Sequence, residues 1–306
     1  MRSGTITQTC LILFVAVSTA FCEADFTETV SFGNSLTHND LLWIYYGNPP
    51  DLYEMDPIEA VFMKGASVGD VLTNYAVAGS ESGDVSLQID VYELMRLMGN
   101  QGKATLFSFE IGGNDILNND NLLAAYAPGE DPSADAVIDN LIANMIDGVS
   151  RLRNLHPGAQ FIIWTIPDVT LTPDLWYDLT PEQVDNVRSH IHRVNRLVLL
   201  AANRFHFVVV LDTYRFIQYT VENPPVILGH QLVPSPAYGD YDNMFADEIH
   251  PTAVSNALMA NFISFRINNK WNDNIPLYTQ EELADFAHIP NDALVFGIEK
   301  QSGGAH

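Results

Sequence analysis

The chain has only two cysteines, Cys10 and Cys22, both close to its N-terminus. Its main body therefore has neither a disulfide framework nor thiolates for a metal site. Basic residues are also scarce: 14 Lys and Arg stand against 38 Asp and Glu, a formal net charge of −24 over 306 residues. That balance leaves no basic footprint for nucleic acid and disfavours adsorption to an anionic membrane. The N-terminal apolar run, Cys10–Ala20, is too short for a comfortable membrane span. Arg2 before it and small residues at Ser18, Ala20 and Ala24 give the pattern of an export signal over residues 1–24. The chain is thus expected to be secreted or periplasmic, without stable membrane insertion. Internal repeats, low-complexity linkers and a Gly-x-Ser-x-Gly elbow around Ser35 are also missing. The roughly 280 residues after the leader are enough to bury one core without cross-links.

Apolar or alternating runs fall at Thr27–Phe32, Tyr75–Val77, Ala104–Ile111, Gln160–Ile166 and Phe207–Leu211. They are short, rich in Val, Ile and Phe, and closed by Gly, Pro, Asn or Asp, which predicts buried strands. Helical patterns lie between them. Val137, Leu141, Met145, Val149 and Leu152 recur at three- and four-residue steps until His156-Pro157-Gly158 stops the pattern. Thr180-Pro181-Glu182-Gln183 opens another helix with a capping box and Pro at its first position. Val184, Val187, Ile191, Val194 and Val198 form the stripe that this helix buries. Strands alternating with helices predict an α/β domain with a central parallel sheet covered on both faces. Sites in such sheets gather at the carboxyl ends of the strands.

The chemistry-bearing residues fall at those ends. Gly33-Asn34-Ser35-Leu36 follows the first strand run, Gly79 the second, and Gly112-Gly113-Asn114-Asp115 the third. Asp247-Glu248-Ile249-His250-Pro251 comes later. A serine hydroxyl is a weak nucleophile and needs a base. His250 suits that task, because an imidazole titrates near ~6.5 and can take and return a proton. Asp247, three residues earlier, is within reach to orient the ring. The Asn114 amide is a polar donor of the kind that holds an oxyanion. Singly, each has a plainer role: Ser35 or Asp247 as a helix cap, Asn114 as a turn residue, Gly79 as a hinge. Their order and shared position favour a site for attack on an ester carbonyl.

Together the blocks resemble those of the GDSL, or SGNH, family of serine esterases and lipases, over about Val30 to Ala260. The secreted lipase and phospholipase-like branch matches best. Phe32-Gly33-Asn34-Ser35-Leu36 resembles its nucleophile block, and Asn74-Tyr75-Ala76-Val77-Ala78-Gly79-Ser80 the block whose glycine donates to the oxyanion. Ile111-Gly112-Gly113-Asn114-Asp115 and Asp247-Glu248-Ile249-His250-Pro251-Thr252 are similar to the remaining two. The resemblance implies a flavodoxin-like three-layer α/β/α fold and a cofactor-free carboxylic-ester hydrolase acting on a small-molecule or lipid ester. Ser35, Asp247 and His250 are its catalytic residues, and Ser35, Gly79 and Asn114 its oxyanion hole. The chain departs from the family at Asn34, where Asp is usual. An amide keeps a similar shape but loses a charge and an acceptor lone pair. Altered loop rigidity or a shifted pH profile is expected from that change.

The hydrolase domain is expected over residues 25–270, with a C-terminal extension, 271–306, packed on it or trailing from it. The apolar stretch Leu41–Tyr46 fits packing of the first helix better than an acyl pocket. His190 and His192 lie two apart on a helix and do not share a face, so they do not form a metal pair. Asp115 reads as support for its turn. Two alternatives to hydrolysis remain open: acyl transfer from the same acyl-enzyme, and a non-catalytic secreted binding protein that kept the fold.

Overall fold

Five short segments pair in parallel in the computed structural model, which describes residues 23–38, 47–53, 55–176, 178–202, 205–236 and 240–290. They are β1 (Glu28–Phe32), β2 (Val71–Asn74), β3 (Leu106–Phe109), β4 (Gln160–Trp164) and β5 (Val208–Leu211). Their order across the sheet is β2-β1-β3-β4-β5, the flavodoxin-like order in which the chain reverses direction between β1 and β3. Parallel neighbours need crossovers, and helices supply them on both faces.

Along the central strands the side chains alternate between two cores. Val30, Phe32, Phe107, Phe109, Phe161, Ile163, Val208 and Val210 face one, whereas Leu106, Ile162, Trp164, Val209 and Leu211 face the other. Helices α1 (Pro57–Gly65), α2 (Val85–Leu97), α3 (Gly113–Leu117), α4 (Asp120–Ala125) and α5 (Pro132–Leu155) form the first half. Then come α6 (Pro173–Trp176), α7 (Pro181–Ala202), α8 (Thr213–Glu222), α9 (Ala253–Trp271) and α10 (Gln280–Phe286). Residues of α2, α5 and α7 fill the first core, and residues of α1, α9 and α10 the second. The result is a three-layer α/β/α domain.

Local sequence explains the helix ends. Asp131 caps α5 by accepting from the Ser133 and Ala134 N–H groups, and Pro132 occupies the first helical position. The expected capping box opens α7: Thr180 N–H donates to Gln183 Oε1 at 2.8 Å, and Gln183 N–H donates back to Thr180 Oγ1 at 3.4 Å. The α5 stripe runs Ala134, Ile138, Leu141, Met145, Gly148, Leu152, with Val137 and Val149 at its margins.

One strand differs from the sequence expectation. The second strand is Val71–Asn74, not Tyr75–Val77. It is an edge strand with Val71 exposed, so it lacks the apolar run that marks a buried strand. Tyr75 and Val77 still donate to the Ser31 and Gly33 carbonyls, at 2.9 and 3.1 Å, past the end of the ladder. The Tyr75 ring stacks inward on Phe32, which gives the triplet its apolar pattern.

Residues 1–22 of the expected leader, with Cys10 and Cys22, lie outside the described residues, as does Leu41–Tyr46. The chain beyond Trp271 packs back on the second core through Ile275, Tyr278, Leu283 and Ile289. The Tyr278 hydroxyl donates to the Ala60 carbonyl on α1 at 3.0 Å. Residues 291–306 lie outside the description. No helix among the described residues is long and apolar enough to cross a membrane.

Phe107 is 0 % exposed at the centre of the sheet. Phe107→Ala is expected to cost about 3–5 kcal/mol, whereas Asp131→Ala, which removes only a cap, should cost about 1 kcal/mol. Urea unfolding midpoints check both; equal losses would contradict this ranking.

Candidate active site

The site grows from the carboxyl end of β1. Gly33 leaves the strand so close to its neighbour that a Cβ there would lie 2.2 Å from the Glu110 carbonyl oxygen. Only glycine fits. Gln88 on α2 satisfies both polar groups of Gly33, accepting from its N–H at 3.0 Å and donating to its carbonyl at 2.8 Å. Asn34 then folds its side chain over the turn, its Oδ1 accepting from the Leu36 N–H at 2.9 Å. Ser35, between them, is buried but for a small part of its surface.

The partner of Ser35 comes from 215 residues further on. The Ser35 hydroxyl and His250 Nε2 are 2.8 Å apart, and His250 Nδ1 is 2.8 Å from Asp247 Oδ2. With Nδ1–H donating to the carboxylate, Nε2 is left to accept the serine proton. The segment that carries both residues is closed at its base, where Ala246 N–H donates to the His250 carbonyl at 2.8 Å. Thr252, not Asp247, caps α9. Asp247 Oδ1 instead accepts from the Ile249 and His250 N–H groups, both at 2.7 Å, and Oδ2 also accepts from the Tyr53 hydroxyl at 3.0 Å. Burial alone pushes this carboxyl up, but His250 and the surrounding donors outweigh it and hold it below its ordinary value.

Asn114 lies in the first turn of α3, which follows β3 through a short loop, and its amide donates to the Ser80 carbonyl at 2.9 Å. That bond uses one of two N–H protons and ties α3 to the turn holding Gly79, which adopts φ +83°. Asp115 secures the same junction, accepting from the Ser82 N–H and hydroxyl at 2.8 and 2.6 Å, the supporting role expected of it.

A cavity of about 1060 Å³, its open mouth included, begins at Ser35 and Asn114. It runs between Trp164 of β4, Phe216, Ile217 and Val221 of α8, and Leu258 and Met259 of α9. Ser35 and Asn114 thus line one opening, and His250 and Asp247 stand behind Ser35 in a hydrogen-bonded line. Gly79 does not line the cavity; its neighbour Ser80 is tied to the site by the Asn114 amide and by Gln88, whose Nε2 donates to Ser80 Oγ at 3.1 Å. His190 and His192 diverge as expected: His190 Nε2 meets the Tyr126 carbonyl at 2.9 Å, whereas the His192 ring packs on Tyr214. Among the described residues no three His, Cys, Asp or Glu side chains are grouped to hold a metal ion.

Sequence reasoning missed three residues of this site: Tyr53, Gln88 and Glu110. Tyr53 and Gln88 have no motif to mark them. Glu110 had a signal, as a lone acid inside the apolar run Ala104–Ile111. Its carboxyl is wholly buried, accepting from Asn34 Nδ2 at 3.2 Å and from the Asn34 N–H at 3.4 Å. Desolvation dominates over those two donors and raises it to about 7. A carboxyl raised on folding favours the native state only while it stays protonated. That stabilisation is present below the ordinary value of 4.5 and is lost as the pH rises through about 7. Glu110→Gln removes the effect, so its unfolding free energy relative to wild type should gain roughly 3 kcal/mol between pH 4.5 and pH 8. A pH-independent difference in denaturant titrations would contradict the assignment.

Comparison with known proteins places this geometry in a family. A model of the GDSL-like lipase/acylhydrolase family matches residues 30–263. Among solved structures, a lipase from a goat rumen metagenome superposes with a TM-score of 0.53 at 13% identity, covering 78% of this chain and 96% of that one. A catalytic mutant of an acetylxylan esterase from Geobacillus stearothermophilus gives 0.51 at 12% identity, covering 84% and 98%. At such identities the likeness is one of fold. No curated protein sequence matches the chain. The family model spans most of the sequence and all of the residues around the opening, and the chain belongs to the GDSL-like lipase/acylhydrolase family of ester-cleaving enzymes.

Proposed function

We propose that this protein is a secreted serine esterase that hydrolyses carboxylic esters of apolar acyl groups through an acyl-serine intermediate. One observation carries the reading: the hydrogen-bonded chain Ser35–His250–Asp247 opens directly onto a deep apolar cavity. The Ser35 oxygen attacks the ester carbonyl while its proton passes to His250 Nε2. Asp247, kept ionised by its donors, steadies the imidazolium that forms. The negative oxygen of the tetrahedral intermediate is met by the Asn114 amide and the Ser35 N–H, which line the cavity, with the Gly79 N–H as the third donor that the family resemblance implies. Collapse of the intermediate breaks the bond to the alcohol oxygen, which leaves with the proton from Nε2. Water then repeats the attack on the acyl-serine, with His250 again as base, and releases the acid. Every group in the sequence comes from the chain's own residues.

The cavity walls of Trp164, Phe216, Ile217, Val221, Leu258 and Met259 suit the acyl chain rather than the alcohol. Each methylene withdrawn from water should raise kcat/KM about fourfold until the cavity is full. Hydrolysis of p-nitrophenyl esters from acetate to palmitate tests this. Ser35→Ala is expected to lower turnover at least about 10⁴-fold, and Asn114→Ala about 10²–10³-fold. Val221→Trp, which fills the cavity, should cut the ratio of octanoate to acetate kcat/KM at least about tenfold. Retained turnover in Ser35→Ala would sink the mechanism. A wild-type optimum at acetate would remove the acyl assignment and leave the mechanism standing.

A further inference from the structure

Asp247 is held from a part of the chain that no motif marks. Tyr53 closes the 3₁₀ turn Pro50–Tyr53, and its ring is buried with Leu52 and Ala246 in a small apolar cluster beside Tyr241. The turn is short and braced. Leu52 N–H donates to the Pro49 carbonyl at 3.1 Å, and the two oxygens of Asp51 accept from the Tyr241 hydroxyl at 2.8 and 2.9 Å. Packed in this way, the Tyr53 hydroxyl meets Asp247 Oδ2 at 3.0 Å, across 194 residues of sequence.

Chemistry fixes the direction of that bond. Asn48 Nδ2 donates to the Tyr53 oxygen at 3.3 Å, and to the carbonyl of Ala246, the residue before Asp247, at 2.6 Å. An ionised carboxylate has no proton to give, so the phenol gives its own to Asp247. Oδ2 is therefore shared by two donors, the Tyr53 O–H and the His250 Nδ1–H. Oδ1 is fixed separately by the Ile249 and His250 N–H groups. A carboxylate held at both oxygens cannot turn away from the imidazole. Two donors on one oxygen also compete, because negative charge drawn toward the phenol is withheld from the ring.

We propose that Tyr53 is a positioning residue for the triad: it holds Asp247 against His250 and, by sharing Oδ2, sets the lower pH limit of hydrolysis. The proposal rests on the reading of Ser35, His250 and Asp247 as the catalytic groups. Tyr53 acts through Asp247 and does not line the cavity, so it leaves substrate binding alone. Other charges stand around the pair. Glu248 lies between its members in the chain, and its carbonyl accepts from the N–H of Asp174, at the start of α6, at 2.9 Å. Asp120 and Asp178 lie near enough to Asp174 to raise its carboxyl, together with Glu248 and Asp247, although desolvation is the larger cause. Glu110 lies beneath the nucleophile turn, and Asp51 of the Tyr53 turn is 3.8 Å from His288. All of these groups remain in Tyr53→Phe, so a difference from wild type reports the lost hydroxyl.

The test compares Tyr53→Phe, which keeps the buried ring and removes only the hydroxyl, with Leu52→Val, which loosens the same turn and keeps the hydroxyl. Tyr53→Phe should lower kcat for p-nitrophenyl esters about 3- to 30-fold, with KM within about twofold of wild type. The acid limb of its pH profile should move up by about half a pH unit to one pH unit, because the unshared carboxylate holds a proton on the imidazole more firmly. Leu52→Val should lower the unfolding midpoint and leave the acid limb in place. The proton NMR signal of His250 Nδ1–H gives a reading that needs no turnover. It should move downfield in Tyr53→Phe as the bond to Oδ2 strengthens. A Tyr53→Phe enzyme with wild-type kcat and an unmoved acid limb overturns the proposal. An acid limb that moves as far in Leu52→Val reports general loosening and overturns it too, as does a His250 signal that stays in place or moves upfield. A wild type inert toward every ester fails the esterase reading instead, and the NMR signal then decides whether Tyr53 acts on the Asp247–His250 pair.

Discussion

The site depends first on how closely two strands leave the sheet. At the carboxyl ends of β1 and β3 the backbone of Gly33 lies against that of Glu110, with no room for a side chain between them. The turn that follows cannot swing outward, because Gln88 holds it from α2 and Asn34 holds it from Glu110. Ser35 is therefore aimed by packing and backbone hydrogen bonds before any catalytic partner is present. His250 can then meet it although the two are far apart in sequence. In the proposed mechanism, a nucleophile set in this way loses little conformational freedom when the reaction begins.

The two faces of the sheet are used differently. On one, Phe32, Tyr75, Tyr92, Phe107, Phe161 and His156 interlock ring against ring. On the other, α8 and α9 stand apart beside Trp164, and the gap between them is the cavity that begins at Ser35. The cavity is lined partly by Met244 and Met259, whose unbranched, polarisable side chains adapt to a bound chain more readily than β-branched ones. The ring-packed face anchors the strands, and the gap on the other face gives Ser35 its opening.

Much of this was readable before any coordinates. Ser35, Asn114, Asp247 and His250 sit in short blocks next to the glycines and prolines that end each element, so chemistry and punctuation coincide in the sequence. The apolar character of Gln160–Ile166 and Phe207–Leu211 was likewise open to view, because strands buried on both faces carry apolar residues at nearly every step. The edge strand Val71–Asn74 was not, since exposure removes the pattern by which strands are recognised. Tyr53 and Gln88 were invisible for another reason. They reach the site through the fold, across tens to hundreds of residues, and no local periodicity records a contact of that kind. Glu110 lies between these cases. A charge inside an apolar run is conspicuous, but only the packing of β1 against β3 shows what it faces.

The two buried acids beside Ser35 show a carboxyl's state set by the balance between burial and the donors around it. Asp247 and Glu110 are almost equally removed from water. Asp247 accepts four hydrogen bonds of 2.7 to 3.0 Å, one of them from the His250 imidazole. Its charge is held below the ordinary range. Glu110 accepts two longer bonds, both from one neutral residue, and desolvation carries it up to about 7. One site therefore contains an acid fixed as an anion and another that can exchange a proton near neutrality. In the proposed mechanism the fixed anion is the one that answers the positive charge developing on His250. The exchangeable one lies under the turn, where it accepts from the Asn34 amide.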